Sequence, residues 1–417
     1  MQVSWPWCRL ALRTNTAGPA TPVVVLALTL ALALSVAPTW SQAQTLSAIH
    51  FFTGGLDGAY PGAGVVMDRF GNLYGTTIWG GINDSGSVFK LSYVRSGWIL
   101  TPMYDFKGDT DGGGQWLPTI GSDGTVYGVA DSVAYGEVYR LTPPPVVCHT
   151  AICSWNKNVV YQFTGNPPDG EWPSSNVIFD RAGNLYGTTG SGGAYGYGTV
   201  YELTPSNGSW TEKIIYSFTG VSDGSGPYAL MIDAVGNLYG ATYNGGAYNY
   251  GTVFEISPAN GGWTENTLYS FNGVNDGGAP VGLVIDNAGN IYGISPPPGC
   301  VTGSRPDMSN DNFIFMLSPG KEGWSFQIIG NYYGCEDPTI SMGADQNIYV
   351  IAPTPGILMR LTNISGTWTV TMVYHFGNTQ NGYAPVGHVV VDAAGNIYGT
   401  MSEGGLYGEG SVWELTP

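Results

Sequence analysis

Charge is scarce in this sequence, and positive charge most of all. Only 10% of its 417 residues are charged, against a usual ~25% for a soluble domain. The 13 Lys+Arg are outnumbered by 30 Asp+Glu, which leaves a formal net charge of −17. So little basic surface cannot neutralise a phosphate backbone, and general nucleic-acid binding is excluded. Histidine is sparse too: His50, His149, His375 and His388 are scattered along the chain. There is no Gly-x-Ser-x-Gly elbow, no His-Glu-x-x-His and no phosphate loop. Long apolar runs are also missing. The longest, residues 23–37, falls short of the ~20 residues that span a bilayer comfortably.

Glycine and aromatic residues are abundant instead. There are 64 Gly, 27 Pro and 27 Tyr, with 43% of residues hydrophobic and 13% aromatic. That much apolar surface builds a large core and argues against disorder. Glycine at this level argues against a helical protein. The composition is that of a glycine-punctuated all-β chain.

The first 43 residues differ from the rest. Arg9 and Arg13 precede the apolar run, and Ser41-Gln42-Ala43 then places small residues at a cleavage site. This pattern predicts a signal peptide cut near Ala43, in preference to an uncleaved anchor. The expected product is a secreted or periplasmic protein, free of the membrane and monomeric. Losing two arginines would move its formal charge from −17 to −19. Cys8 leaves with the leader, and Cys148, Cys153, Cys300 and Cys335 remain. An even number in an oxidising compartment favours disulfides, and the spacing fits no zinc site.

Internal repetition dominates the remainder. Asp-x-x-Gly-Asn-(Leu/Ile)-Tyr-Gly occurs at 68–75, 180–187, 233–240, 286–293 and 392–399, with weaker copies around Tyr127 and Tyr349. Residues 184–220 and 237–273 match at 24 of 37 positions without a gap. Each of the seven units holds four strand-like runs. In the fourth, strand a is Leu230–Ile232, b starts at Asn237, c is Thr252–Ile256 and d is Trp263–Phe271. The chain after the leader opens with a lone d-type strand, Leu46–Phe52, and stops on a c-type strand, Ser411–Pro417. The first strand is therefore predicted to complete the last unit and remove the exposed sheet edges. The expectation is an all-β, seven-bladed β-propeller of four-stranded blades, one domain over residues 44–417.

The unit Gly-Asn-Leu-Tyr-Gly-Thr-Thr, continued by Gly192-Gly193-Ala194-Tyr195-Gly196-Tyr197-Gly198-Thr199-Val200, resembles the GloVer-type tandem repeats of exported bacterial proteins. The Asp-x-x-Gly-Asn-Leu-Tyr stretch alone is also similar to NHL-type and two-component-sensor propeller repeats. The resemblance implies a fold and an exported location, and it implies no agreed activity. Members of the family often end in a sorting tail; none follows Pro417 here, which favours release.

Strand alternation sorts the loops onto two faces. The a–b and c–d turns share one; the b–c and d–a loops share the other, beside the channel. On this second face an Asp-Gly word recurs in the d–a loops at Asp57, Asp169, Asp223 and Asp276, with looser members Asp111 and Asp337. Such aspartates either shape turns or ring the channel mouth with carboxylates that could take calcium, although Asp109-x-Asp111-Gly lacks the distal Glu of a calcium loop. The b–c loops supply Tyr195, Tyr197, Tyr248, Tyr250 and Tyr407, with Trp79 in the first unit, and Trp116 and Trp172 join from d–a loops. These aromatics either pack between blades or offer flat faces to a sugar or peptide. On the first face, Asp68, Asp180, Asp233, Asp286 and Asp392 and the tryptophans that begin d strands read as structural.

Units 2, 5 and 6 break the consensus, and a specific site is expected where identical loops give way. That points to the second face near units 5 to 7, around Arg305, Asp307, Glu336, Asp337 and His388. Loop parity also pairs Cys148 with Cys153 and Cys300 with Cys335. The leading functional expectation is a non-enzymatic propeller with no cofactor that binds a carbohydrate or protein ligand on the second face. A lyase or hydrolase acting on a polysaccharide or lactone with channel-mouth carboxylates and calcium, and a structural envelope module, stand as alternatives.

Overall fold

In the computed structural model, residues 44–108, 111–114, 116–130, 134–144, 155–259, 261–297, 311–334, 338–377 and 381–417 are described. They form seven antiparallel sheets arranged as the blades of a propeller. Blade 4 shows the pattern: strand a (Ser225–Ile232), b (Leu238–Asn244), c (Thr252–Ala259) and d (Gly262–Ser270) pair in sequence order. In blade 7 the order is Tyr383–Val391, Ile397–Glu403, Ser411–Thr416 and then Thr45–Phe51, so the first strand of the chain is its outermost. Thr45 lies opposite Thr416 and Phe51 opposite Ser411. The expected closure is what forms.

The repeated hairpin word has a local cause. Asp233 Oδ1 accepts hydrogen bonds from the amides of Val235, Gly236 and Asn237 at 2.8–2.9 Å, and Oδ2 accepts one from Asn237 Nδ2 at 2.9 Å. Gly236 takes the positive φ, +97°, that this tight turn requires. The Tyr239 hydroxyl then sits between Asp233 Oδ2 (3.3 Å) and Glu255 Oε1 (3.1 Å), tying the turn to strand c. Between blades, five of the six tryptophans that begin d strands pack edge-on against this tyrosine of the preceding blade, as in Trp263 on Tyr186, Trp324 on Tyr239, and Trp98 on Tyr398 across the closure.

The core lies between blades. One cluster joins Tyr186, Val200, Ile215 and Phe218 of blade 3 to Leu230, Leu238, Phe254 and Ile256 of blade 4. At six of the seven seams an aromatic at the end of one d strand meets an aromatic of the next c strand, as in Phe52–Phe89 and Phe218–Phe254, with centroids 5.2 and 5.0 Å apart. The glycine that closes the hairpin word makes room for that ring. A Cβ on Gly240 would stand 2.3 Å from Phe254 Cζ, and one on Gly399 2.4 Å from Trp413 Cζ2. Blade 6 lacks both partners: Val350 stands at the glycine position and pairs with Met359 in place of an aromatic. The loss of consensus in that unit is thus a coupled exchange of volumes.

Two details differ from the sequence reading. Strand a of blade 4 starts five residues earlier than expected and absorbs a bulge between Tyr228 and Met231, with Ala229 at φ 52°. The inner strand of blade 3 is split into Gly170–Pro173 and Ile178–Phe179. The disulfide expectation is not borne out: no S–S bond is present among the described residues, and Cys8, Cys148, Cys153, Cys300 and Cys335 all lie outside them. Parity assigns two loops to one face. A bond further needs Cα atoms within about 7 Å and facing Cβ atoms, which no spacing rule supplies.

Candidate functional site

The second face carries three layers: the carboxylates of the d–a loops, the aromatics of the b–c loops, and a pocket on the axis. The carboxylates face inward. Asp223 is buried, and it accepts bonds from Thr219 N (2.8 Å), Thr219 Oγ1 (2.6 Å) and Tyr216 OH (2.9 Å). Asp276 does the same with Asn272 N, Gly273 N and Tyr269 OH, and Asp169 with Thr164 and Gly170 N. Asp111 is held by Tyr104 OH and Lys107 N. In the first loop His50 takes the tyrosine's place, with Nε2 3.0 Å from Asp57 Oδ2, while Thr53 donates at 2.5 Å to Oδ1. Burial alone would raise the Asp57 carboxyl, but the bonds from His50 and Thr53 outweigh it and hold it below the usual range. Each aspartate therefore shapes the loop that carries it. Among the described residues no group of three or more His, Cys, Asp or Glu is placed to hold a metal.

Behind these loops, one register position in strand d faces the preceding blade, and its occupant changes around the ring. Blade 2 has Lys157, buried 2.5 Å from Glu137 Oε1 and over the rings of Tyr104, Phe106 and Tyr139. Blade 3 has Glu212, and blade 4 has Glu265. Burial, and then the negative charge of Asp169, pushes the Glu212 carboxyl up to about 7. Burial also raises Glu265, with Asp223 adding to it and a bond from Thr267 opposing.

The aromatic layer is open to solvent. Tyr195 is 62% exposed and Tyr248 60%, and Trp79, Trp172 and Tyr407 also stand out from the surface. Tyr197 and Tyr250 are anchored from beneath. Their rings lie over bare backbone at Gly220 and Gly273, where an added Cβ would come within 2.6 and 2.5 Å. The repeated Gly-Gly-x-Tyr-x-Tyr-Gly word thus produces one free ring and one seated ring per loop. In blade 7 the seated position is Glu409, packed beside Gly54, while Tyr407 keeps the free one.

The third layer was only partly foreseen. A cavity of about 190 Å³ is lined by residues from six blades, among them Trp116, Asn176, Tyr228, Leu283, Thr339 and His388. Only a position on the axis can touch so many blades. Its rim is fastened by hydroxyls that donate to carbonyls of the next blade: Thr119 to Val177, Ser174 to Pro227 and Thr339 to Gly387, each at 2.5 Å. His388 is held by its backbone against Ala63 O (3.0 Å), and its Nδ1–H donates to Ile340 O at 3.1 Å. Burial lowers its pKa, the bond to Ile340 opposing, so the neutral ring carries its lone pair on Nε2. Of the residues named from sequence, the pocket gathers Trp116 and His388 and none of the d–a carboxylates that are described. Arg305, Asp307, Glu336 and Asp337 lie outside the described residues. Asn176 and Tyr228 were missed. The available signal was position, since both sit just after an Asp-Gly-x-x-Pro loop has delivered the chain to the axis.

Together these features define a seven-bladed propeller with an aromatic loop face around a small axial pocket. A family model, the Gloeobacter/Verrucomicrobia repeat, matches residues 145–305, so the resemblance drawn from the repeats holds over that stretch. Among solved structures, a streptogramin B lyase is similar with a TM-score of 0.55 at 15% identity, covering 89% of this chain and 97% of that one. The extracellular domain of a proposed one-component system from B. thetaiotaomicron gives 0.53 at 10% identity, covering 88% of this chain and 39% of the other. A proposed 6-phosphogluconolactonase from Bacteroides uniformis gives 0.50 at 12%, covering 74% and 83%. At these identities the likeness is one of fold alone. No curated protein matches the sequence.

Proposed function

We propose that this chain is an exported, non-enzymatic propeller that binds carbohydrate on its b–c/d–a face. The observation that carries the reading is the set of exposed rings, Trp79, Trp172, Tyr195, Tyr248 and Tyr407, displayed on glycine loops of a single face. An aromatic ring left in water with no packing partner is costly in hydrophobic terms, and a pyranose offers it an apolar C–H face while its hydroxyls stay solvated. The leader-like N-terminus with Arg9, Arg13 and Ser41-Gln42-Ala43 supports export. No helix among the described residues is long and apolar enough to cross a membrane. The carboxylates on which a lyase or hydrolase reading depended are engaged in their own turns, which favours binding over catalysis.

A glycan array probed with the exported chain, with and without calcium, tests this. Binding to a defined set of glycans is expected, and it should fall in a Tyr195→Ala/Tyr248→Ala double variant of unchanged melting temperature. Silence across the array, together with capture of a protein partner through the same tyrosines, would move the assignment to a protein ligand.

A further inference from the structure

The axial pocket differs in chemistry from the face around it. The protein is strongly acidic, with a formal charge of −17, yet no residue lining the pocket is an acid, a lysine or an arginine. A charged ligand there would lose water and gain no counter-charge, which is prohibitive at a partly enclosed site. The wall is instead mixed. Trp116, Tyr228, Leu230, Leu283 and Pro338 are largely apolar, whereas Asn176 and His388 bring polar groups. The Asn176 amide has no hydrogen-bond partner among the described residues, so both its donor and its acceptor are available. His388 spends Nδ1–H on Ile340 O, which leaves Nε2 as an acceptor. A cavity of about 190 Å³ holds about six waters at ~30 Å³ each, and it is smaller than the ~300–1,000 Å³ of drug-sized sites. Its volume suits one sugar ring.

The pocket is also continuous with the aromatic layer. Exposed Trp172 is followed directly by Pro173 and then by Ser174 of the pocket wall. Half-exposed Tyr243 packs edge-on against pocket-lining Tyr228, with centroids 6.2 Å apart. A chain lying across the loop rings could therefore end at the axis.

We propose that this pocket is a one-residue subsite for a single neutral pyranose, with His388 Nε2 accepting a sugar hydroxyl and the Asn176 amide engaging its neighbours. The occupant is either a free monosaccharide or the terminal unit of a bound glycan. This rests on the reading of the loop face as carbohydrate-binding, and the test separates the two ideas.

Titration calorimetry of the exported chain with the methyl glycosides of glucose, galactose, mannose and N-acetylglucosamine, with glucuronate as the charged control, measures binding of a single ring, and the pocket variants assign it. At least one neutral glycoside is expected to bind. Asn176→Leu should weaken it by about tenfold or more, and His388→Gln, an independent variant should the first fail to fold, should do likewise. Ile364→Ala, exposed on the opposite face, should leave monosaccharide affinity unchanged, and Tyr248→Ala should weaken glycans on the array. Comparing a glycan with its end-blocked form then distinguishes a terminal unit from a free sugar. If glycans bind the array but no neutral glycoside titrates, the subsite is wrong and the face reading stands. If glucuronate binds more tightly than the neutral glycosides, or both pocket variants bind like the parent, the proposal is overturned. If neither glycans nor monosaccharides bind, the face reading falls and the subsite with it.

Discussion

The two faces of this propeller draw on the same residue types and put them to opposite use. On the a–b/c–d face Tyr239 is 6% exposed, its hydroxyl shared between Asp233 and Glu255 and its ring against Trp324 of the next blade. On the b–c/d–a face Tyr248 has glycines at 245, 246 and 251 in its loop and stays 60% exposed. The aspartates do not differ in this way, since both faces engage them in hydrogen bonds to their own turns. The lesson is that recurrence of a residue in a repeat does not identify its role. What separates the faces is whether a neighbouring blade covers the ring, as Trp324 covers Tyr239, or leaves it in water, as at Tyr248.

The largest effect is expected where the blades interlock. Gly240→Val places a branched side chain where even a Cβ would lie 2.3 Å from Phe254, and should cost about 3 kcal/mol, the top of the range for overpacking. Urea unfolding measures this, and adding Phe254→Met, which copies the Val350/Met359 pair of blade 6, should restore much of the loss. No restoration would mean that the glycine serves another purpose.

Next comes the loop aspartate. Asp223→Ala leaves Tyr216 OH and Thr219 N without their acceptor and should cost about 2 kcal/mol. An unchanged midpoint with altered ligand binding would instead return this carboxylate to the functional site. Tyr239→Phe, which removes one hydroxyl between two carboxylates, should cost about 1 kcal/mol. Its counterpart on the other face, Tyr248→Ala, should stay within about 0.5 kcal/mol of the parent despite losing a whole ring, and affect binding alone. Equal destabilisation by the two would erase the distinction between the faces.

The smallest effect is a pH dependence. Glu212 is held near 7 in the folded chain, against an ordinary 4.5, by burial and by Asp169. The folded state therefore binds this proton more tightly than the unfolded state does. Its contribution is complete below about 4.5 and is lost as pH rises through about 7. Glu212→Gln should flatten the melting-temperature profile over that window and leave the variant the more stable above pH 7. Lys157, in the corresponding register of blade 2, meets the carboxylate Glu137. Lys157→Met should instead destabilise at neutral pH by stranding that buried partner.

Much of this was readable in advance, for identifiable reasons. The Asp-x-x-Gly-Asn hairpin is local chemistry, complete within seven residues, so its turn and its structural aspartate could be named from one unit. Closure was legible because a spare d strand at one end and a missing one at the other are facts of order along the chain. The role of the Asp-Gly words stayed divided between turn and ligand, because both readings demand the same residues. The orientation of Asp223 toward Tyr216 decides that its carboxylate is engaged. Loop parity could not establish the disulfides, because a shared face is a far looser condition than a bond. Asn176 and Tyr228 went unnoticed because neither belongs to a recurring word.

The sequence by itself determined the number of blades, the order of strands within them and the way the ring shuts, since periodicity, alternation and turn chemistry act over a few residues and repeat. Only the tertiary structure decided which tyrosines remain free, why six of the seven hairpins end in glycine, and what lines the axis. Those properties belong to contacts that order along the chain does not display: Gly240 with Phe254 across two strands of one blade, Tyr250 with Gly273 across two loops, and an axial lining drawn from six blades.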